Sequence, residues 1–257
     1  YSMSTPKAVK SILSLEKALH ILEIMANNPA PARLLDIAKQ AELPTSTALR
    51  LLSTLQANGY VNQEPESARY YPTLKLYNLG SCILNSFPLV DIAKPYLRRL
   101  ADETSHSINL SILQNDRAVL IDVVDCYTES QTITTYRGRA VPLYCSALGR
   151  AFLTGFSAQE LDEYFRRTKL EAYTPITLLT TERIIHEVSL ARQRGYAYEP
   201  GELRSGIAGI GAPICNARGE VIAAISLAEL SSVMTLSTIE LYGAKIQKTA
   251  MEISAVI

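Results

Sequence analysis

At 257 residues, 47% of them hydrophobic and 19% charged, the chain has the length of one large or two ordinary globular domains and enough apolar material for a real core. Its 25 basic residues match its 25 acidic ones, which excludes the strongly basic composition that announces a nucleic-acid binder by itself; residues 1–75 hold eight basic and six acidic side chains, leaving 17 against 19 in the remainder. The longest apolar run, 221–230, has Ser226 and Glu229 inside it and falls short of the ~20 residues of a spanning helix, so neither a membrane span nor a secretory leader is expected.

Alanine, leucine and isoleucine recur at three- and four-residue spacing over 11–26, which predicts a first helix stopped by Asn27-Asn28-Pro29. The stretch RLLDIAKQAEL places Leu35, Ile37, Ala38, Ala41 and Leu43 on one side of a second helix of about three turns. Pro44 cannot extend it. Thr45 or Ser46 suits an N-cap, and a third helix runs to Asn58-Gly59, a pair fitted to a left-handed C-cap. Strand-like stretches at 60–63 and 69–73 flank the turn-forming Glu-Pro-Glu-Ser, which predicts a hairpin; a helix over 74–84 then leads to a boundary at Ser86-Phe87-Pro88. The order is that of a winged helix-turn-helix domain (1–73), a linker helix (74–88) and a second domain (89–257).

In the second domain an amphipathic helix over 90–104 precedes β-rich segments at 108–114, 118–125 and 131–137. Helices are expected over 149–156, over 157–168 with Ser157 and Glu160 as a capping box, and over 181–194. Strands at 206–215 and 221–230 are joined by the turn Asn216-Ala217-Arg218-Gly219, and a closing helix covers 238–255. Strands and helices mix without strict alternation, so the class is α+β around an antiparallel sheet flanked by helices.

The third helix carries the chemistry of the first domain. One side is apolar, with Ala48, Leu51, Leu52 and Leu55, and Leu49 at the margin. The other holds Ser46, Thr47, Arg50, Ser53 and Thr54: short hydroxyls, one arginine and no carboxylate. A solvated helix face ordinarily mixes lysine with glutamate, whereas a face laid against DNA needs donors and cannot carry negative charge toward phosphates. Arg50 is the long donor able to grip a guanine edge, the hydroxyls serve bases or phosphates, and the free N–H groups at Thr45 suit a phosphate. Arg69, in the second arm of the hairpin, is the candidate wing contact. The competing reading is a capped packing helix with a weakly charged surface.

Four blocks, LDIAKQAELPTSTALRLLSTLQANGYV, YYPTLKLYNLG, RGRAVPLYCSALGRAFL and RQRGYAYEPGELRSGIAGIGAPICNARGEVIAAISLA, together resemble in order and spacing the IclR family of bacterial transcription regulators, over nearly the whole chain. The resemblance implies a winged-helix domain on double-stranded operator DNA, a linker helix that pairs subunits into a dimer or a dimer of dimers, and a GAF-like C-terminal domain for a small-molecule effector, a carboxylate. It also implies the site: backbone N–H groups of Ala147 and Leu148 at the start of a helix for an anion, apolar Val141 and Ile207, and polar Glu199 and Ser226. Tyr144 replaces a frequent histidine, Ala228 replaces a serine of some relatives, and Gly209 stands where others carry a larger residue. These departures predict a larger, less polar effector than the smallest keto acids, such as an aromatic or medium-chain carboxylate.

Two other function classes compete. Cys145, near Arg137, Arg139 and Arg150 in sequence, is a candidate nucleophile for a hydrolase or transferase if those cations lower its pKa, although its motif has no partner base. A metabolite-binding module whose N-terminal helices make protein contacts only is the third reading. Cys82, Cys126, Cys145 and Cys215 form no C-x-x-C pair and no local metal set with His20, His106 or His186, so no metal, no cofactor and a reducing cytoplasmic setting are expected. GIAGIGAP lacks the G-x-G-x-x-G of a dinucleotide site and reads as close packing in a strand.

Overall fold

The structure, a computed structural model, describes residues 11–28, 30–84, 87–126 and 135–257. The stop at Pro29, the boundary residue Ser86 and most of the strand expected at 131–137 lie outside these residues. The chain divides into two compact units, 1–86 and 87–257.

In the first unit, α1 (Leu13–Asn27), α2 (Leu34–Gln40) and α3 (Thr45–Ala57) precede an antiparallel hairpin of β1 (Val61–Gln63) and β2 (Tyr70–Pro72), and α4 (Leu74–Leu84) comes after it. The apolar stripes meet in one core: Ile21 and Met25 from α1, Ile37 from α2, Leu52 and Leu55 from α3, and Val61 and Tyr70 from the hairpin. Helix α2 has seven residues, two turns rather than the expected three. It ends because Glu42 enters the left-handed region (φ 53°) and Leu43 donates its N–H back to the Ala38 carbonyl at 2.9 Å. Neither Thr45 nor Ser46 is the N-cap of α3. Pro44 (φ −57°, ψ 138°) holds that position, its carbonyl accepting from Thr47 and Ala48, so both hydroxyl residues lie inside the first turn. Gly59 closes the helix at φ 75°, the left-handed stop its sequence predicted.

The second unit contains α5 (Pro88–Thr104), β3 (Ile108–Gln114), β4 (Arg117–Val124), β5 (Ala140–Pro142), α6 (Ala147–Leu153), α7 (Ala158–Arg167), α8 (Thr181–Arg194), β6 (Ala197–Arg204), β7 (Ile207–Cys215), β8 (Val221–Leu230) and α9 (Leu236–Ser254). Its six-stranded antiparallel sheet runs β5-β4-β3-β8-β7-β6. The capping box at Ser157 and Glu160 is present. Helix α6 starts two residues before the expected 149, with Ser146 as N-cap accepting from Gly149 N–H. Strands β5 and β6 were not expected. The first is only three residues long, and the second is broken by Pro200 and Gly201 in a register shift between Glu199 and Arg204.

Strand β7 lies between two packed helices. Its alternation sends Ala208, Ile210, Ala212 and Ile214, all fully buried, to one face, where α9 packs. The opposite face carries Gly209 and Gly211 against the start of α6: a Cβ on Gly211 would lie 2.8 Å from the Ala147 carbonyl oxygen. Glycine there lets a helix end approach the strand backbone.

Candidate DNA-reading face and effector cavity

On α3, Ala48, Leu52 and Leu55 are buried, while Thr45, Ser46, Arg50, Ser53 and Thr54 are exposed and Thr47 is half-buried. The Arg50 guanidinium has no hydrogen bond or ion pair to any described residue and remains available to an external acceptor. Ser53 and Thr54 donate their hydroxyls to the carbonyls of Leu49 (2.9 Å) and Arg50 (3.0 Å), one turn back on their own helix. Their oxygens keep accepting capacity, but their donors are engaged. Arg69 is exposed in the hairpin and donates Nη1 to the Pro31 carbonyl at 3.2 Å, tying the wing to the segment before α2. The wing tip carries Glu64 and Glu66, and Arg33 and Lys39 are further exposed cations on or beside α2.

In the second unit Val141, Ala147, Leu148, Glu199, Ile207, Gly209 and Ser226, drawn from β5, α6, β6, β7 and β8, all line one cavity of about 80 Å³. Strands β5 and β6 are opposite edges of the sheet, so it curls around this space. The amides of Ala147 and Leu148, in the first turn of α6, donate to no described residue, whereas Gly149 N–H is taken at 3.0 Å by Ser146 Oγ and Arg150 N–H at 2.9 Å by the Ser146 carbonyl. Gly149 is required there, since a Cβ would lie 2.2 Å from Leu143 Cα.

The remaining lining includes Asn109, Thr135, Arg139 and Arg204, none expected as a site residue. Thr135 Oγ1 donates to Asn109 Oδ1 at 2.9 Å, and Asn109 Nδ2 donates to Ser226 Oγ at 3.3 Å, a polar chain along one wall. The only trace of it in sequence was the alternation that put Asn109 on strand 108–114. Neither Gly209 nor Tyr144, two of the departures behind the expected larger, less polar effector, adds space to this cavity. Gly209 opens no room, because a Cβ there would already meet Ala147 Cβ at 3.1 Å. Tyr144 is also turned elsewhere: its hydroxyl donates to the Glu171 carbonyl at 2.8 Å and accepts the Glu171 N–H at 2.9 Å.

Glu199 sits at the irregularity in β6, its Oε2 accepting the N–H groups of Gly201 (2.8 Å) and Glu202 (2.6 Å). Burial pushes its carboxyl up to about 7 against the opposing pull of those two amides, with neighbouring Glu202 adding to the rise and Arg150 opposing it. Behind it, Arg150 and Glu202 form an ion pair at 2.7 Å with both side chains almost fully buried. Arg150 also donates to the carbonyls of Tyr144 (3.1 Å) and Tyr198 (3.3 Å), and Glu202 accepts Leu178 N–H at 3.1 Å. The network bolts α6, β6 and the segment before α8 together and holds the cavity's two polar walls in register.

The arginines do not activate Cys145. Its thiol is fully buried and burial pushes it up to about 12, with Glu199 and Glu202 adding to the rise and Arg150 opposing it only in part. A thiol so protonated is not a poised nucleophile at neutral pH.

Comparison with known proteins agrees with this geometry. The family profile of the IclR helix-turn-helix domain matches residues 14–65, and that of the bacterial transcriptional regulator IclR C-terminal domain matches 82–255. The transcriptional repressor IclR of Escherichia coli K12 is 32% identical over 255 residues, covering 98% of this chain and 93% of that protein. The transcriptional repressor AllR of the same strain is 29% identical over 252 residues, covering 98% and 93%. The crystal structure of Thermotoga maritima IclR superposes with a TM-score of 0.75 at 29% identity, over 96% of this chain and 99% of that one. A helix-turn-helix whose α3 presents an outward face free of acid, joined to a curled-sheet unit with a cavity and matched along almost its whole length, makes this chain a member of the IclR family of DNA-binding bacterial transcriptional regulators.

Proposed function

We propose that the protein is an effector-responsive repressor in which α3 reads an operator and the cavity behind α6 binds a compact organic carboxylate. The observation that carries the effector reading is the pair of amides at Ala147 and Leu148, unengaged among the described residues, in two residues that line the same cavity as Ser226 and Glu199. Backbone donors without a protein acceptor suit a carboxylate, and the surrounding Val141, Ile207 and Leu148 suit its carbon chain. The names of the E. coli relatives, both repressors, support that direction of regulation. Leu74, Tyr77 and Ile83 on α4, 78%, 70% and 62% exposed, support pairing of subunits as a dimer or a dimer of dimers.

The mechanism is linkage. An acid that prefers one arrangement of the paired subunits changes the spacing of their two α3 helices, and with it the affinity for a two-half-site operator. A tenfold preference is worth ~1.4 kcal/mol, within the usual range of such coupling. The test is fluorescence-anisotropy titration of DNA from upstream of its own and adjacent genes, at two salt concentrations, with and without a panel of carboxylic acids. Specific, salt-sensitive binding that one acid shifts is the expected result. Binding no stronger than to random duplex would sink the operator reading, and operator binding indifferent to every acid would sink the effector reading.

A further inference from the structure

Most arginines of the second unit are already engaged. Arg98, Arg117, Arg192 and Arg194 donate to backbone carbonyls, and Arg99, Arg137, Arg150, Arg166, Arg167 and Arg218 pair with carboxylates. Arg139, Arg183 and Arg204 have no side-chain partner among the described residues. Two of these three line the effector cavity.

They arrive there from opposite edges of the sheet. Arg139 immediately precedes β5, held by its carbonyl, which accepts Leu120 N–H at 2.9 Å. Arg204 ends β6, opposite Ile207 of β7. Arg139 is half-buried and Arg204 exposed. The one carboxyl in the lining, Glu199, makes no ion pair with either, being turned onto the amides of Gly201 and Glu202. Two of the residues lining the cavity are thus cations with no ion pair among the described residues, in addition to the amides of Ala147 and Leu148. A single carboxylate on the amides leaves the guanidiniums unanswered, and a planar guanidinium presents a fork matched to carboxylate or phosphate.

Resting on the effector reading, we propose that the effector is a compact organic dianion, one anionic end held by the Ala147 and Leu148 amides and the other by Arg139 and Arg204. The Thr135–Asn109–Ser226 chain offers hydrogen bonds to a polar group carried between those ends. Arg139 and Arg204 are then the residues that set specificity for charge number, which the apolar wall cannot do.

The experiment is titration calorimetry of the full chain with succinate, 2-phosphoglycolate and butyrate, repeated on R139Q, R204Q and, as a control away from the cavity, R183Q. Succinate or phosphoglycolate is expected to bind at least about tenfold more tightly than butyrate, the scale of one charge-assisted contact. R139Q and R204Q should each erase most of that advantage while R183Q keeps it. Which dianion binds better distinguishes a carboxylate from a phosphate at the second end. Butyrate equal to both dianions, or an advantage untouched by R139Q and R204Q, overturns the proposal and leaves the effector reading standing. No heat from any of the three acids also overturns the proposal, and the effector reading falls with it only if operator affinity is indifferent to every acid of the wider panel.

Discussion

The outward face of α3 and the cavity behind α6 are both clusters of polar groups, but they are held in opposite ways. Arg50 stands in solvent without a partner among the described residues, on a helix whose other side alone fixes it to the core. Around the cavity, Arg150, Glu202 and Ser146 are each tied by two or more contacts and buried to within a few per cent. A surface that must meet DNA leaves its donors unspent until the partner supplies acceptors, whereas a cavity for a small acid must be held open by a frame that is already satisfied. The first should tolerate mutation in stability and fail in binding. The second should fail in stability first.

The largest expected effect comes from breaking the frame. Arg150→Ala strands the Glu202 carboxylate in the core, and the expected loss is roughly 3–5 kcal/mol, enough to lower the melting temperature by ten degrees or more. A melting curve within two degrees of wild type would show that the network is not the cavity's support. Replacing both partners, R150M with E202L, should recover much of the loss, since an apolar pair leaves no orphaned charge.

Next comes the open face. Arg50→Ala should weaken operator binding by about tenfold or more and reduce its salt dependence, while changing thermal stability by less than about 0.5 kcal/mol. Equal binding by the variant would return α3 to the role of a packing helix.

A smaller effect distinguishes the cavity by pH. Because the folded pKa of Glu199 lies near 7, above its ordinary value near 4.5, the native state holds more of this proton between those limits. Its contribution to stability is therefore greatest below about 4.5, falls as pH rises toward 7 and is flat above. An anionic effector should respond in the same sense, binding more tightly at pH 6 than at pH 8, where the carboxylate repels it. In E199Q that difference should vanish in calorimetry; its persistence would assign the pH dependence to another group.

The smallest effect lies in the turn between α2 and α3. Glu42 occupies the left-handed region at φ 53° without the freedom of glycine. Glu42→Gly should stabilise the first unit by up to about 1 kcal/mol and leave operator affinity within twofold, read by chemical denaturation and anisotropy. A destabilised variant would mean that the Glu42 side chain supplies more than the turn costs.

The helices from Leu13 to Leu84, the hairpin and the acid-free face of α3 were legible in the order of residues because each rests on contacts three or four positions apart or on a turn of a few residues. The seven cavity residues were legible only through a family resemblance, since Val141 and Ser226 share no local pattern. Tertiary structure alone decided the rest. It curled the sheet until its two edge strands faced one space, and it brought Asn109, Arg139 and Arg204 to that space. It buried Cys145 beyond activation, and it spent the room at Gly209 on the approach of α6. Local periodicity specifies which face of an element is apolar. Which charges end without a partner depends on the whole set of neighbours, and those come from every part of the fold.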